Sequence, residues 1–153
     1  MFGHEKGGTI AKVYLAVEVG TTADGKPHAR FAKARVVPAF KGEIAEGFTE
    51  KHVNPGTEIR TDQGKDMLHL KKNYKIVARP MWGIQRRINE HLPWVHRVIS
   101  NIKANLIGTF HGVDAKYLQL YLDEACYRFN RRFWRDEIAT RVVTACIIPN
   151  QAG

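Results

Sequence analysis

YLDEACYRFNRR, residues 121–132, entered through DAKYLQL at 114–120, decides how the second half of the chain is read. At about 100° per residue, Leu118, Tyr121, Leu122, Ala125 and Phe129 recur at the spacing of one apolar face, and Asp114 stands where an N-cap belongs. The stretch is an amphipathic helix. Glu124, Arg128 and Arg131 fall within roughly 60° of one another on it and form a single polar stripe. Glu at i with Arg at i+4 is an ordinary helix ion pair worth about a few tenths of a kcal/mol. A functional role for the stripe is the alternative, and the stretch alone leaves both open.

The segment before it, LPWVHRVISNIKANLIGTFHGV at 92–113, starts a second helix at Pro93, a residue suited to the first helical position. Val95, Val98, Ile99, Ile102 and Leu106 define its buried face, and Gly108 is its expected end. His96, Ser100 and Lys103 share a different face at i, i+4 and i+7. Asn101 lies roughly 140° around the helix from His96 and cannot point into the same site unless the helix is distorted.

The first half reads as strands. TIAKVYLAVEV, 9–19, alternates and is rich in β-branched residues; Asp24-Gly25 supplies turn chemistry, and HARFAKARVVPAF, 28–40, returns as the second strand of a hairpin. Ala29, Phe31, Lys33, Arg35 and Val37 share one parity, and such a mixed face suits a strand near an edge. EIAEGFTEKH, 43–52, is a short helix. VNPGTEIRTD, 53–62, turns at Pro55-Gly56 into a short strand that ends on Asp62. A carboxylate there suits catalysis, because strand ends stay rigid while facing solvent. It equally suits an N-cap for QGKDMLHLKKN, a helix of about two turns. YKIVARP, 74–80, is one more short strand, and WRDEIATRVVTACII, 134–148, reads as a final helix over the core.

The 153 residues, 44% hydrophobic and 25% charged, suffice for one ordinary globular domain, strand-rich over 7–80 and helical over 88–148. Nothing in them is apolar for long enough to cross a membrane, and MFGHEKGG lacks the apolar core of a secretory signal. The expected location is the cytoplasm. Cys126 and Cys146 show no metal spacing and are expected as buried thiols. Residues 1–70 hold 10 Lys and Arg against 9 Asp and Glu, whereas residues 71–153 hold 14 against 6. That basic half interleaves cations with aromatics, as in Tyr127, Arg128, Phe129, Arg131, Arg132, Phe133, Trp134 and Arg135, a pattern suited to phosphate and hence to nucleic acid. No GxGxxG, P-loop, GxSxG or HExxH motif points to a small-molecule enzyme.

LPWVHRVISNIKANLIGTFHGV followed by YLQLYLDEACYRFNRR resembles the ISXO-type insertion-sequence transposase domain, a bacterial DDE transposase. NPGTEIRTD is similar to that family's second catalytic strand, and KGGTIAKVYLAVEV to the segment after its first. The resemblance implies an α/β, ribonuclease-H-like fold: a mixed sheet flanked by helices, with a helical C-terminal half. It implies DNA as substrate and partner, a homo-oligomer when full length, and two Mg²⁺ or Mn²⁺ ions about 3.5 to 4 Å apart.

Asp62 falls on the family's second acid. The third is a Glu seven residues before a Lys in many relatives, and counting back from Lys103 reaches His96. Imidazole is a softer, neutral ligand, acceptable to Mn²⁺ and less able to balance Mg²⁺. His96 is therefore either a variant ligand or the mark of a degraded site. Lys103 is expected at a DNA phosphate, its alternative being a solvated side chain. Glu124, Arg128 and Arg131 match the family's acid-and-two-arginines spacing, with Glu124 orienting an arginine toward phosphate or supporting the site.

By the family's layout the first catalytic Asp belongs on a strand before Met1. Asp24, in the hairpin turn, does not replace it, and Glu5 sits in a glycine-rich lead-in. The expectation is a truncated domain lacking its first strand and first ligand, with little or no activity. Three outcomes stay open: an active transposase, a non-catalytic DNA-binding remnant, or a product that folds poorly.

Overall fold

In a computed structural model, residues 11–80, 90–110 and 114–133 are described. Lys12–Thr21 (β1) and Pro27–Val37 (β2) pair antiparallel, as the two alternating runs require. The turn closes through Thr22 N–H to Lys26 O and Gly25 N–H to Thr22 O, both 2.9 Å. Gly25 sits at φ 78°, where a side chain would be strained. Val13 faces Val36, Leu15 faces Ala34 and Val17 faces Ala32, so one face of the hairpin is apolar.

That face carries the larger core. Ala32 and Ala34, almost fully buried, are small enough to let two helices lie close. The helices are Pro93–Phe110 (α3), which presents Val98, Ile102 and Leu106, and Leu118–Asn130 (α4), which presents Leu118, Leu122 and Cys126. Val98 and Leu122 are the largest fully buried side chains, each stabilising the fold by about 1.5–3 kcal/mol. Burial pushes the Cys126 thiol up, so it stays protonated and inert.

The opposite face of the hairpin holds Tyr14 and Val37 against Gly42–His52 (α1) and Lys65–Leu68 (α2) with the 3-10 turn His69–Lys72 behind it. Helices therefore cover both sides of the strands. The expected two-turn helix after Asp62 is one α turn that tightens into 3-10. Glu58–Thr61 (β3) and Lys75–Ala78 (β4) pair in parallel, with α2 as their connection. The mixed α/β arrangement is present. Among the described residues, however, the strands form two separate two-stranded sheets, and β1 shares no ladder with β3.

The outer edge of β2 is closed by side chains rather than by a strand. Asn130 accepts from Ala32 N–H at 2.6 Å and donates to Ala32 O at 3.0 Å. Gln119 accepts from Val36 N–H at 2.8 Å and donates to Ala34 O at 3.2 Å. Just past α4, the Arg132 guanidinium donates to Ala29 O. In an antiparallel pair the N–H and C=O of one residue point to the same side, so these are the groups β1 does not reach. The primary amides stand in for the missing neighbour.

Three local expectations change. Asp114 accepts from Lys116 N–H at 3.0 Å and caps the 3-10 turn Ala115–Tyr117, not α4, whose N-cap is Tyr117. α3 runs past Gly108 to Phe110. The N-cap of α2 is Gly64, not Asp62. The helix expected over 134–148, with Cys146, lies outside the described residues. Among the described residues no helix is long and apolar enough to cross a membrane.

Candidate nucleic-acid and acid site

Asp62 directly follows the last residue of β3 and is exposed. The strand end behind it is fixed from two sides. Thr61, itself buried, accepts through its carbonyl from Arg79 N–H at 3.2 Å and from His91 Nε2–H at 3.0 Å. The second bond sets the His91 tautomer, because a carbonyl can only accept. His91 is buried and lies just ahead of α3, so it docks the start of that helix on the end of β3. Nothing in the sequence singled it out.

Beyond Thr61 the chain folds back over itself. Asp62 Oδ1 accepts from Gly64 N–H at 3.2 Å, a short side-chain turn of the kind Asp favours. A β-carbon at Gly64 would meet Asp66 Oδ1 at 2.6 Å and Asp62 Oδ1 at 3.2 Å, so both carboxylates crowd the space above that glycine. Asp66 is held in turn by Tyr14 of β1, whose hydroxyl donates to Asp66 Oδ2 at 2.6 Å. Burial and the Asp66 hydrogen bond push the Tyr14 hydroxyl well above its ordinary range, so it remains a donor. The turn bearing Asp62 is thus tied to the hairpin by Tyr14 and to α3 by His91. Sequence reading missed Asp66, whose only local signal was its place four residues after Asp62.

His96 and Lys103 do share a face of α3. Burial first, then the Lys103 ammonium, hold the His96 imidazole below its usual pKa. A neutral imidazole is the form that can ligate a metal. Both side chains are half-buried, while Asn101 is exposed.

The third expected group lies elsewhere. Glu124 and Arg128 form an ion pair at 2.6 Å on the exposed side of α4. Arg131 leaves the stripe to lie over the Tyr127 ring, 3.7 Å from its centre. The structure brings His96 to Lys103 and Glu124 to Arg128, and ties His91, just ahead of α3, to the strand end that precedes Asp62. It does not close a metal site: among the described residues no three His, Cys, Asp or Glu side chains converge. One exposed carboxylate and one neutral imidazole do not by themselves fit a pair of hard divalent ions.

The model of the ISXO2-like transposase domain matches residues 3–130. The chain belongs to that family. The match runs from the N-terminal lead-in through the last residue of α4, and so includes the hairpin, Asp62, His96, Lys103 and the Glu124–Arg128 pair. A comparison with curated proteins finds no match.

Proposed function

We propose that this transposase domain is of the DDE type, serving to cut DNA at insertion-sequence ends and transfer the strand to a target, in the cytoplasm and as a homo-oligomer when full length. The His91–Thr61 hydrogen bond supports the reading, because it ties the residues just ahead of the helix of His96 and Lys103 to the end of the strand that precedes Asp62. The hairpin and the parallel pair are read as two parts of a ribonuclease-H-like sheet.

In this reading Asp62 and His96 would be two of the donors toward Mg²⁺ or Mn²⁺, with further donors needed to complete the site, and the ions would supply charge stabilisation for strand cleavage and transfer. Lys103 faces a DNA phosphate. Glu124, Arg128 and Arg131 contact or support DNA from α4. The family's first acid is not assigned to any described residue.

A second reading, DNA binding without cleavage, draws on the lack of a third converging donor among the described residues. Binding of a labelled duplex across a salt series, with nicking of a supercoiled plasmid in Mn²⁺, separates the two. The proposal expects salt-dependent binding in both the chain and Asp62→Asn, with weak nicking by the chain that is lost in the variant. Nicking that persists in Asp62→Asn, or no duplex binding at all, would sink it. Binding without nicking by the unsubstituted chain selects the second reading.

A further inference from the structure

The hairpin face that carries Tyr14 is only partly covered. Tyr14 and Val37 lie under α1, but Arg35 and Lys33, on the same face two and four residues back along β2 from Val37, are exposed. Such i, i+2 neighbours stand roughly 7 Å apart along a strand. The position of α1 on this face is set by its aromatic residue: Phe48 stacks on Tyr14 at 5.8 Å between ring centres and meets the His52 ring edge-on at 5.0 Å. The last turn of α1, Lys51 and His52, therefore ends where the covered part of the face gives way to Lys33 and Arg35. Tyr14 is the direct cross-strand partner of Arg35, and its hydroxyl reaches Asp66 beside Asp62.

We propose that Lys33, Arg35, Lys51 and His52 form a phosphate-binding patch that holds the backbone of duplex DNA on the Asp62 side of the hairpin. The proposal rests on the reading of this domain as a DNA-handling one and adds where the backbone lies. Cations in the last turn of a helix have an ordinary explanation, since they complement its dipole. That explanation does not account for the two cations on β2. Burial, then Lys33, Lys51 and Arg35, depress the His52 imidazole, so two elements converge their charge on one group. Lys33 is shared with Asp123 of α4 at 3.4 Å, whereas Arg35 and Lys51 pair with no carboxylate among the described residues. A cluster of like charges offset by a single exposed carboxylate suits an anion from outside.

The test uses the full chain, a labelled duplex and a salt series, with Arg35→Gln/Lys51→Gln as the variant and Arg35→Lys/Lys51→Arg as its charge-preserving control. Both sites are exposed, and thermal unfolding checks that each variant is folded. The expected result is a fall in the log–log salt slope of about 2, with affinity at low salt down about tenfold or more, and recovery in the control. In the complex His52 titrates at higher pH than in the free chain, because a phosphate offsets Lys33, Arg35 and Lys51. An unchanged slope in a variant that still binds overturns the patch and leaves the DNA-handling function standing. No binding by the unsubstituted chain overturns both.

Discussion

The two long sides of α4 differ in what they hold. Its inner side sends Gln119 and Asn130 to four backbone groups of β2, and Leu118, Leu122 and Cys126 into the core. Its outer side carries Glu124 and Arg128, which bond each other in solvent, and Arg131, which lies on Tyr127. The outer residues matched the family's signature spacing, yet in this fold the inner ones hold the domain together. One stretch of helix thus mixes residues that serve two physical ends, and only their partners in the fold can sort them.

The comparison breaks most decisively at Asn130. Asn130→Ala leaves Ala32 N–H and O without their side-chain partner at a half-buried edge, a loss of about 2–3 kcal/mol in chemical denaturation. Gln119→Ala is expected to follow at about 1–2 kcal/mol, since its bonds to Val36 N–H and Ala34 O, at 2.8 and 3.2 Å, are longer than those of Asn130. If either variant is as stable as the unsubstituted chain, α4 does not close the β2 edge.

These contacts also mark the limit of what the chain order conveys. The hairpin, α1, α3 and α4 were legible because each rests on local information: alternation, a 3.6-residue period, Asp24-Gly25, Pro93. Asn130 bonds a residue 98 positions away, and its role depends on which edge of β2 is open. His91 likewise lay in a stretch without periodicity, and its partner Thr61 O is a backbone atom 30 residues upstream. At the site, the pairing of His96 with Lys103 was legible as a helical spacing, whereas the closeness of Asp66 to Asp62 needed the fold of one short turn. The separation of the strands into two sheets was not legible at all, since pairing between distant strands is set by tertiary packing.

A smaller effect tests the α3 side. The depressed His96 pKa means that the unfolded chain, with His near 6.5, takes up a proton before the folded one. Stability is therefore fully present above about pH 6.5 and is lost as pH falls through the folded-state value. His96→Gln is expected to flatten that part of the profile. Lys103→Gln is expected to move the His96 resonance titration upward, by less than the part due to burial. A His96 titration that ignores Lys103→Gln would place the two side chains apart.

The smallest effect belongs to the outer stripe, and its smallness is the point. Glu124 and Arg128 are 48% and 73% exposed, so water screens their attraction and the free side chains lose entropy on pairing. A double-mutant cycle with Glu124→Gln and Arg128→Gln is expected to give a coupling of about 0.3–0.5 kcal/mol that shrinks in added salt. In the same variants, the duplex affinity separates the two explanations of the motif. If Arg128→Gln lowers the salt slope by about 1, the outer side faces phosphate and the pair is a by-product of its placement. If the slope stays fixed while the coupling is measurable, Glu124 and Arg128 serve the helix alone, and the DNA-facing part of this motif must be sought in Arg131.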